Sequence, residues 1–123
     1  MNKEKLYNTK DQKILKQELL MEPFKRVTCS FYRYTEIKDA QLMRDTLYKD
    51  WSRLNIFGRV YISREGINAQ LSCPENKWDS FLSSINSYEY FEDIPVKRAV
   101  EDGSSFYKLV IKVKKEIVAY KVD

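Results

Sequence analysis

The chain has 123 residues, 43% of them apolar and 33% charged, with a formal net charge of +4 and no histidine. That length fits one domain with a single modest core, and the missing imidazole excludes Ser-His-Asp triads, Cys-His nucleophiles and histidine-ligated metals within the chain. No apolar run reaches the roughly eighteen residues of a membrane helix, and the start, Met1-Asn2-Lys3-Glu4-Lys5, lacks a signal peptide's apolar segment, so a soluble, cytoplasmic protein away from membranes is expected.

Between Asp11 and Leu20, apolar Ile14, Leu15, Leu19 and Leu20 recur at helical spacing ahead of the breaker Pro23, which predicts a short lead-in helix. Arg26 to Tyr34 alternates as a strand, with Val27, Cys29 and Phe31 inward and Thr28, Ser30, Tyr32 and Tyr34 outward. Asp39 can cap a helix running through Leu54, because Met43, Leu47, Trp51 and Leu54 fall on one side, and Asn55 and Gly58 end it.

Phe57 to Ser72 reads as a hairpin closed by Arg64-Glu65-Gly66. Side chains alternate along a strand, so Val60, Ile62, Ile67, Ala69 and Leu71 share an apolar face while Arg59, Tyr61, Ser63, Asn68, Gln70 and Ser72 share a polar one. Pro74 suits the first turn of a second helix with Trp78, Phe81, Leu82 and Ile85 as its stripe, and both Trp51 and Trp78 are assigned to the core. Val96 to Val100 reads as a short extended piece, Asp102-Gly103 as a turn, and Phe106 to Val113 as a long final strand with Tyr107, Leu109, Ile111 and Val113 on one face. Cys29 and Cys73 fall within strands and are expected as reduced core residues. Glu89, Glu92 and Asp93 lack a third ligand type, so no metal site is expected.

The order strand, helix, strand, strand, helix, strand specifies an α+β, ferredoxin-like (acylphosphatase-like) sandwich with an extra N-terminal helix: a lead-in over 1–25 and a core over 26–118. Two helices on one side of the sheet leave the other side open, presenting Ser30, Tyr32, Tyr34, Arg59, Tyr61, Asn68, Gln70, Lys108 and Lys112. Basic residues crowd the two ends of the chain, from Lys3 through Arg26 and from Lys108 through Lys121. Cations beside exposed aromatics describe a surface for phosphates and unpaired bases.

The stretches Phe31-Tyr32-Arg33-Tyr34, Arg44-Asp45-Thr46-Leu47-Tyr48, Phe57-Gly58-Arg59-Val60-Tyr61, Glu65-Gly66-Ile67-Asn68-Ala69-Gln70 and Val113-Lys114-Lys115-Glu116-Ile117-Val118 resemble the N-terminal domain of the bacterial tRNA uridine hydroxylases, a rhodanese-domain family. The resemblance implies oxygen-dependent hydroxylation of the wobble uridine to 5-hydroxyuridine, with molecular oxygen as co-substrate. It also implies that the essential cysteine belongs to a following rhodanese-like domain outside these 123 residues. By that reasoning the chain holds no catalytic residue or cofactor and is inactive alone. Its contribution is to bind the anticodon region of tRNA through Tyr32, Tyr34, Arg59, Tyr61, Arg64, Asn68, Gln70, Lys108 and Lys112. The same face suits docking of the rhodanese-like domain, and a stand-alone RNA-binding or interaction module is the alternative reading.

Acylphosphatase activity is the competing enzymatic reading, since that family shares the topology. Acylphosphatases carry a glycine-containing loop after strand one and a water-positioning asparagine on strand two. Here Tyr34-Thr35-Glu36-Ile37-Lys38 contains no glycine, the asparagine position falls on Ile62, and Asn68 lies on the next strand.

Overall fold

The computed structural model describes residues 6–102 and 106–117. Asp11 opens α1 (Gln12–Leu20) by accepting a hydrogen bond from the Lys13 amide at 2.9 Å, and Leu15 is the helix's buried residue. Asp39 likewise opens α2 (Ala40–Arg53) by accepting from the Leu42 amide. Asn55, at φ 56°, then turns the chain out of the helix, as asparagine does more readily than bulkier residues. Between the two helices runs β1 (Arg26–Tyr34); β2 (Phe57–Ser63), β3 (Gly66–Pro74), α3 (Trp78–Asn86), β4 (Lys97–Asp102) and β5 (Leu109–Val113) follow.

The strands form one sheet in the order β4-β1-β3-β2-β5, antiparallel except for the parallel pair β2 and β5. The first four positions are the ferredoxin-like arrangement expected from the sequence. The last strand of that arrangement is a different segment, however. Lys97–Asp102 occupies the edge beside β1, whereas Leu109–Val113, expected there, adds a fifth strand at the opposite edge. The reason lies in side-chain chemistry. Arg98 pairs with Cys29 across the strands and stacks its guanidinium 5.0 Å from the Trp78 ring, so a cation covers the place where an alternating pattern calls for a hydrophobe.

Trp78, expected in the core, is half-buried and packs against its border with its ring 5.8 Å from that of Phe81, and Val113 is 41% exposed. Pro74 ends β3 and precedes a single 3-10 turn, Glu75–Lys77, so α3 starts later than expected. Gly103 of the expected turn, Val118 at the expected end of the core, and Lys3, Lys5 and Lys121 of the basic ends lie outside the described residues.

Inward residues of β1, β2 and β3 meet α2 and α3 in one core in which Leu47, Trp51, Ile62, Ile67, Leu71 and Phe81 are fully buried. The Trp51 and Phe81 rings meet edge to face at 5.6 Å. Between the helices, Trp51 Nε1 donates to Ser84 Oγ and the Tyr88 hydroxyl donates to Asp50 Oδ2, a polar clasp at the border of the core. Arg44 on α2 donates from Nε to the Ile111 carbonyl of β5 at 3.0 Å and from Nη2 to the Leu6 carbonyl at 2.6 Å. The edge strand and the lead-in are thereby tied to the same helix.

Two glycines are demanded by the sheet itself. Gly58 (φ +136°) and Gly66 (φ +147°) lie where L side chains are strained, and a Cβ on them would collide with the Gln70 and Arg33 carbonyl oxygens respectively. Gly66→Ala is expected to cost about 2–4 kcal/mol, read as a lowered urea midpoint with an unchanged m-value.

Burial pushes both thiols up, Cys29 and Cys73 each from 9.0 to about 12. Tyr88 also moves upward, first through burial and then through its bond to Asp50. The unfolded chain releases these protons near their ordinary values while the folded chain retains them, so their stabilisation is complete below about pH 9 and is lost toward pH 12. Native protein at pH 8 is therefore expected to react slowly with a disulfide reagent, and both thiols to react at once in denaturant. A fast thiol without denaturant would contradict this burial.

Candidate nucleic-acid interface

The strand register arranges the polar side chains in rows across the outer face. One row runs Tyr32, Asn68, Tyr61, Lys112 from β1 to β5, and the next runs Ser30, Gln70, Arg59, Val110. Tyr32 and Tyr34 are 52% and 59% exposed, while Arg59, Gln70, Lys108 and Lys112 are exposed and Tyr61 and Asn68 half-buried.

Among the described residues, concave places break this surface, two of them next to each other. A depression of about 160 Å³ is lined by Arg59, Tyr61, Asn68 and Gln70. A groove of about 390 Å³ adjoins it, with Arg59, Tyr61, Phe106, Tyr107, Lys108 and Lys112 on its walls. Tyr107, expected inward with Leu109, precedes β5 and faces this groove instead. Its ring lies 5.5 Å from Lys16 Nζ and 5.9 Å from Lys108 Nζ, and Lys114 Nζ lies 5.3 Å from the Tyr61 ring.

Phe106, Tyr107, Lys16 and Lys114 were thus missing from the residues singled out by sequence. The basic character of the two chain ends is the advance signal for the two lysines, while the two aromatics have none. Tyr32, Tyr34 and Arg64 line neither concavity; the last two lie at the hairpin-turn end, where Tyr34 pairs with Gly66 and the Arg64 carbonyl accepts from the Ile37 amide.

The opposite end of the outer face is closed. Arg26, counted by sequence among the basic residues of the N-terminal quarter, is buried. It donates from Nε and Nη2 to both Glu22 carboxylate oxygens at 2.7 and 2.8 Å, and from Nη1 to the Asn55 and Ser72 carbonyls. Its guanidinium also stacks 3.9 Å from the Phe57 ring centroid. Beneath this plug Thr28 is 8% and Ser72 0% exposed, and at the hairpin end Ser63, also expected on the polar face, is buried with its hydroxyl accepting from the Glu65 amide at 2.9 Å, so that face is open only between these two ends.

The loop after β1 is committed to holding the hairpin. Amides of Thr35 and Ile37 donate to the Glu65 and Arg64 carbonyls at 2.9 and 3.0 Å, and the Lys38 amide donates to the Tyr90 hydroxyl. Arg33, the arginine next to this loop, donates to the Glu92 carbonyl at 2.7 Å. An anion cradle needs converging amides whose hydrogens are unspent. Ile62 is fully buried, and Asn68 belongs to β3. Among the described residues no group of three or more Cys, Asp or Glu is placed to hold a metal ion, and no helix is long and apolar enough to cross a membrane.

These features define an α+β sandwich that keeps the acylphosphatase topology and fills its loop differently. A family model described as the UPF0176 acylphosphatase-like domain matches residues 26–117, and the chain belongs to that family as an N-terminal domain of its type. It is similar to the tRNA uridine(34) hydroxylase of Leptospira interrogans, 48% identical over 118 residues covering 95% of this chain and 32% of that protein. It is likewise similar to proteins of the same name from Enterobacter sp. (42%, covering 96% and 34%) and Hamiltonella defensa (41%, covering 93% and 33%). The chain spans about a third of the length of these curated relatives.

With its loop amides occupied, the purified chain is expected to hydrolyse benzoyl phosphate at the rate of buffer alone. Turnover that disappears in an Arg33→Gln variant would show that the loop rearranges into a phosphate site.

Proposed function

We propose that this chain is the substrate-holding domain of a tRNA uridine(34) hydroxylase, gripping unpaired nucleotides of the tRNA anticodon region on the outer face of its sheet. The names of its relatives support the substrate class. The observation that carries the reading is the convergence of Arg59, Lys108 and Lys112 with Tyr61 and Tyr107 on one exposed groove. Among the described residues none of those three cations is paired with a carboxylate. Cations track the phosphates of a single strand and aromatic rings receive its bases.

In this proposal the hydroxylation, with molecular oxygen as co-substrate and 5-hydroxyuridine as product, takes place at a rhodanese-like domain that supplies the reactive cysteine. Both thiols here are buried in the sheet and held protonated, so neither suits that role. The site of action is the cytoplasm, where tRNA is modified. The chain alone is expected to bind an anticodon stem-loop and to form no 5-hydroxyuridine, as read by mass spectrometry of digested tRNA.

Replacing Tyr32 and Tyr61 together by Ala should weaken stem-loop binding about tenfold or more, since each stacked base contributes about 1–3 kcal/mol. Fluorescence anisotropy reads the affinity, and a circular-dichroism melt checks that the domain stays folded. A folded variant with undiminished affinity would assign the face to docking of the rhodanese-like domain.

A further inference from the structure

The two concavities on the outer face share a wall. Arg59 and Tyr61 line both the 160 Å³ depression and the 390 Å³ groove, and their chemistries differ on either side. Toward β3 the depression presents the carboxamides of Asn68 and Gln70, groups that carry donor and acceptor side by side, as the edge of a nucleobase does. Toward β5 the groove presents two aromatic rings, Phe106 and Tyr107, and two ammonium groups, Lys108 and Lys112.

Asn68 and Lys112 flank Tyr61 in register, so they stand two strand spacings apart, about 9–10 Å. One side of the shared wall is thus suited to a base edge, the other to a base face and a phosphate. A planar guanidinium lies between them, the group best shaped to take two oxygens of one phosphodiester. The groove's volume is that of an ordinary small-ligand site, whereas the depression has room only for something smaller.

Resting on the RNA reading above, we propose that these concavities are two consecutive nucleotide subsites for single-stranded RNA. The first base meets Asn68 and Gln70, and the second lies against Tyr107 in the groove. Arg59 holds the phosphate that links them, and Lys108 and Lys112 hold the phosphate that follows. The fifth strand therefore has a function: it supplies the second subsite, which a four-stranded sheet ending at β2 does not possess.

The test uses the 123-residue chain and a fluorescein-labelled single-stranded uridine heptamer, displaced by unlabelled 5′-phosphorylated uridine dinucleotide or by uridine monophosphate. The dinucleotide is expected to compete at least about tenfold better than the mononucleotide, and Arg59→Gln to erase most of that difference. Gln70→Ala should lower heptamer affinity several-fold. The double variant Lys108→Gln/Lys112→Gln should flatten the slope of log affinity against log salt by about 0.7, the share of the one phosphate contact these two lysines make on a single strand. These side chains are exposed, and melting temperatures verify that each variant stays folded.

Equal competition by the two nucleotides, or a dinucleotide advantage that survives Arg59→Gln, overturns the paired subsites while RNA binding stands. Failure of the heptamer to bind at all overturns both readings and leaves the face to protein docking.

Discussion

The position of β3 between β1 and β2 governs everything on both faces of this sheet, and two points of backbone contact fix it. At Gly66, opposite Tyr34 and Ser63, and at Gly58, opposite Leu71, neighbouring strands approach so closely that any side chain would enter a carbonyl oxygen. Because side chains alternate with a period of two, a slip of one residue would carry Ile67, Ala69 and Leu71 to the outside and Asn68 and Gln70 into the core. Glycine at those points makes the intended register the one that packs. The hairpin turn is held in addition by the loop after β1, whose amides bond to the Arg64 and Glu65 carbonyls. A segment that could have cradled a phosphate thus serves to brace the hairpin.

The sheet also determines which cations are available to a partner. Arg26, Arg33, Arg44 and Arg98 are engaged by carboxylates, carbonyls or rings of the fold. Those engagements close the lower end of the outer face, anchor the loop at Glu92, seal the β5 edge and cover the inner side of β4. Arg59, Lys108 and Lys112 remain exposed on the outer side. Net charge alone, +4 over the whole chain, says little about this division. What matters for a polyanion is that the exposed cations gather at the β2 and β5 edge beside aromatic rings.

Sequence pattern carried the architecture as far as apolar alternation and helix caps reach. Asp11 and Asp39 mark the starts of α1 and α2, and the inward residues of β1, β2 and β3 are those that the period of two selects. At β4 it gave only a short extended piece and not the edge strand beside β1, because alternation cannot register Arg98 placed over the Trp78 ring where a hydrophobe is called for. The fifth strand was legible as a strand, yet its partner was not. Its placement beside β2 depends on the parallel ladder and on the bond from Arg44 to the Ile111 carbonyl, neither of which has a local signature. At the candidate site the residues of β2 and β3 were legible by parity alone. Tyr107 and Phe106 were not, since they precede β5 and follow no strand parity.

The four-stranded form of this sandwich ends at β2, and there the outer face would offer Arg59 and Tyr61 at an open edge with backbone groups unpaired. Adding β5 pairs that edge and continues both rows of side chains outward, to Lys112 beside Tyr61 and Val110 beside Arg59. It also brings Tyr107 and Lys108 alongside Gly58, whose amide donates to the Lys108 carbonyl at 2.8 Å. The glycine that lets β3 approach β2 thereby also anchors the start of the cationic groove. Stability of the sheet and shape of the surface rest on the same backbone contact, which is why this hairpin combines a stringent glycine requirement with the most chemically varied side chains of the domain.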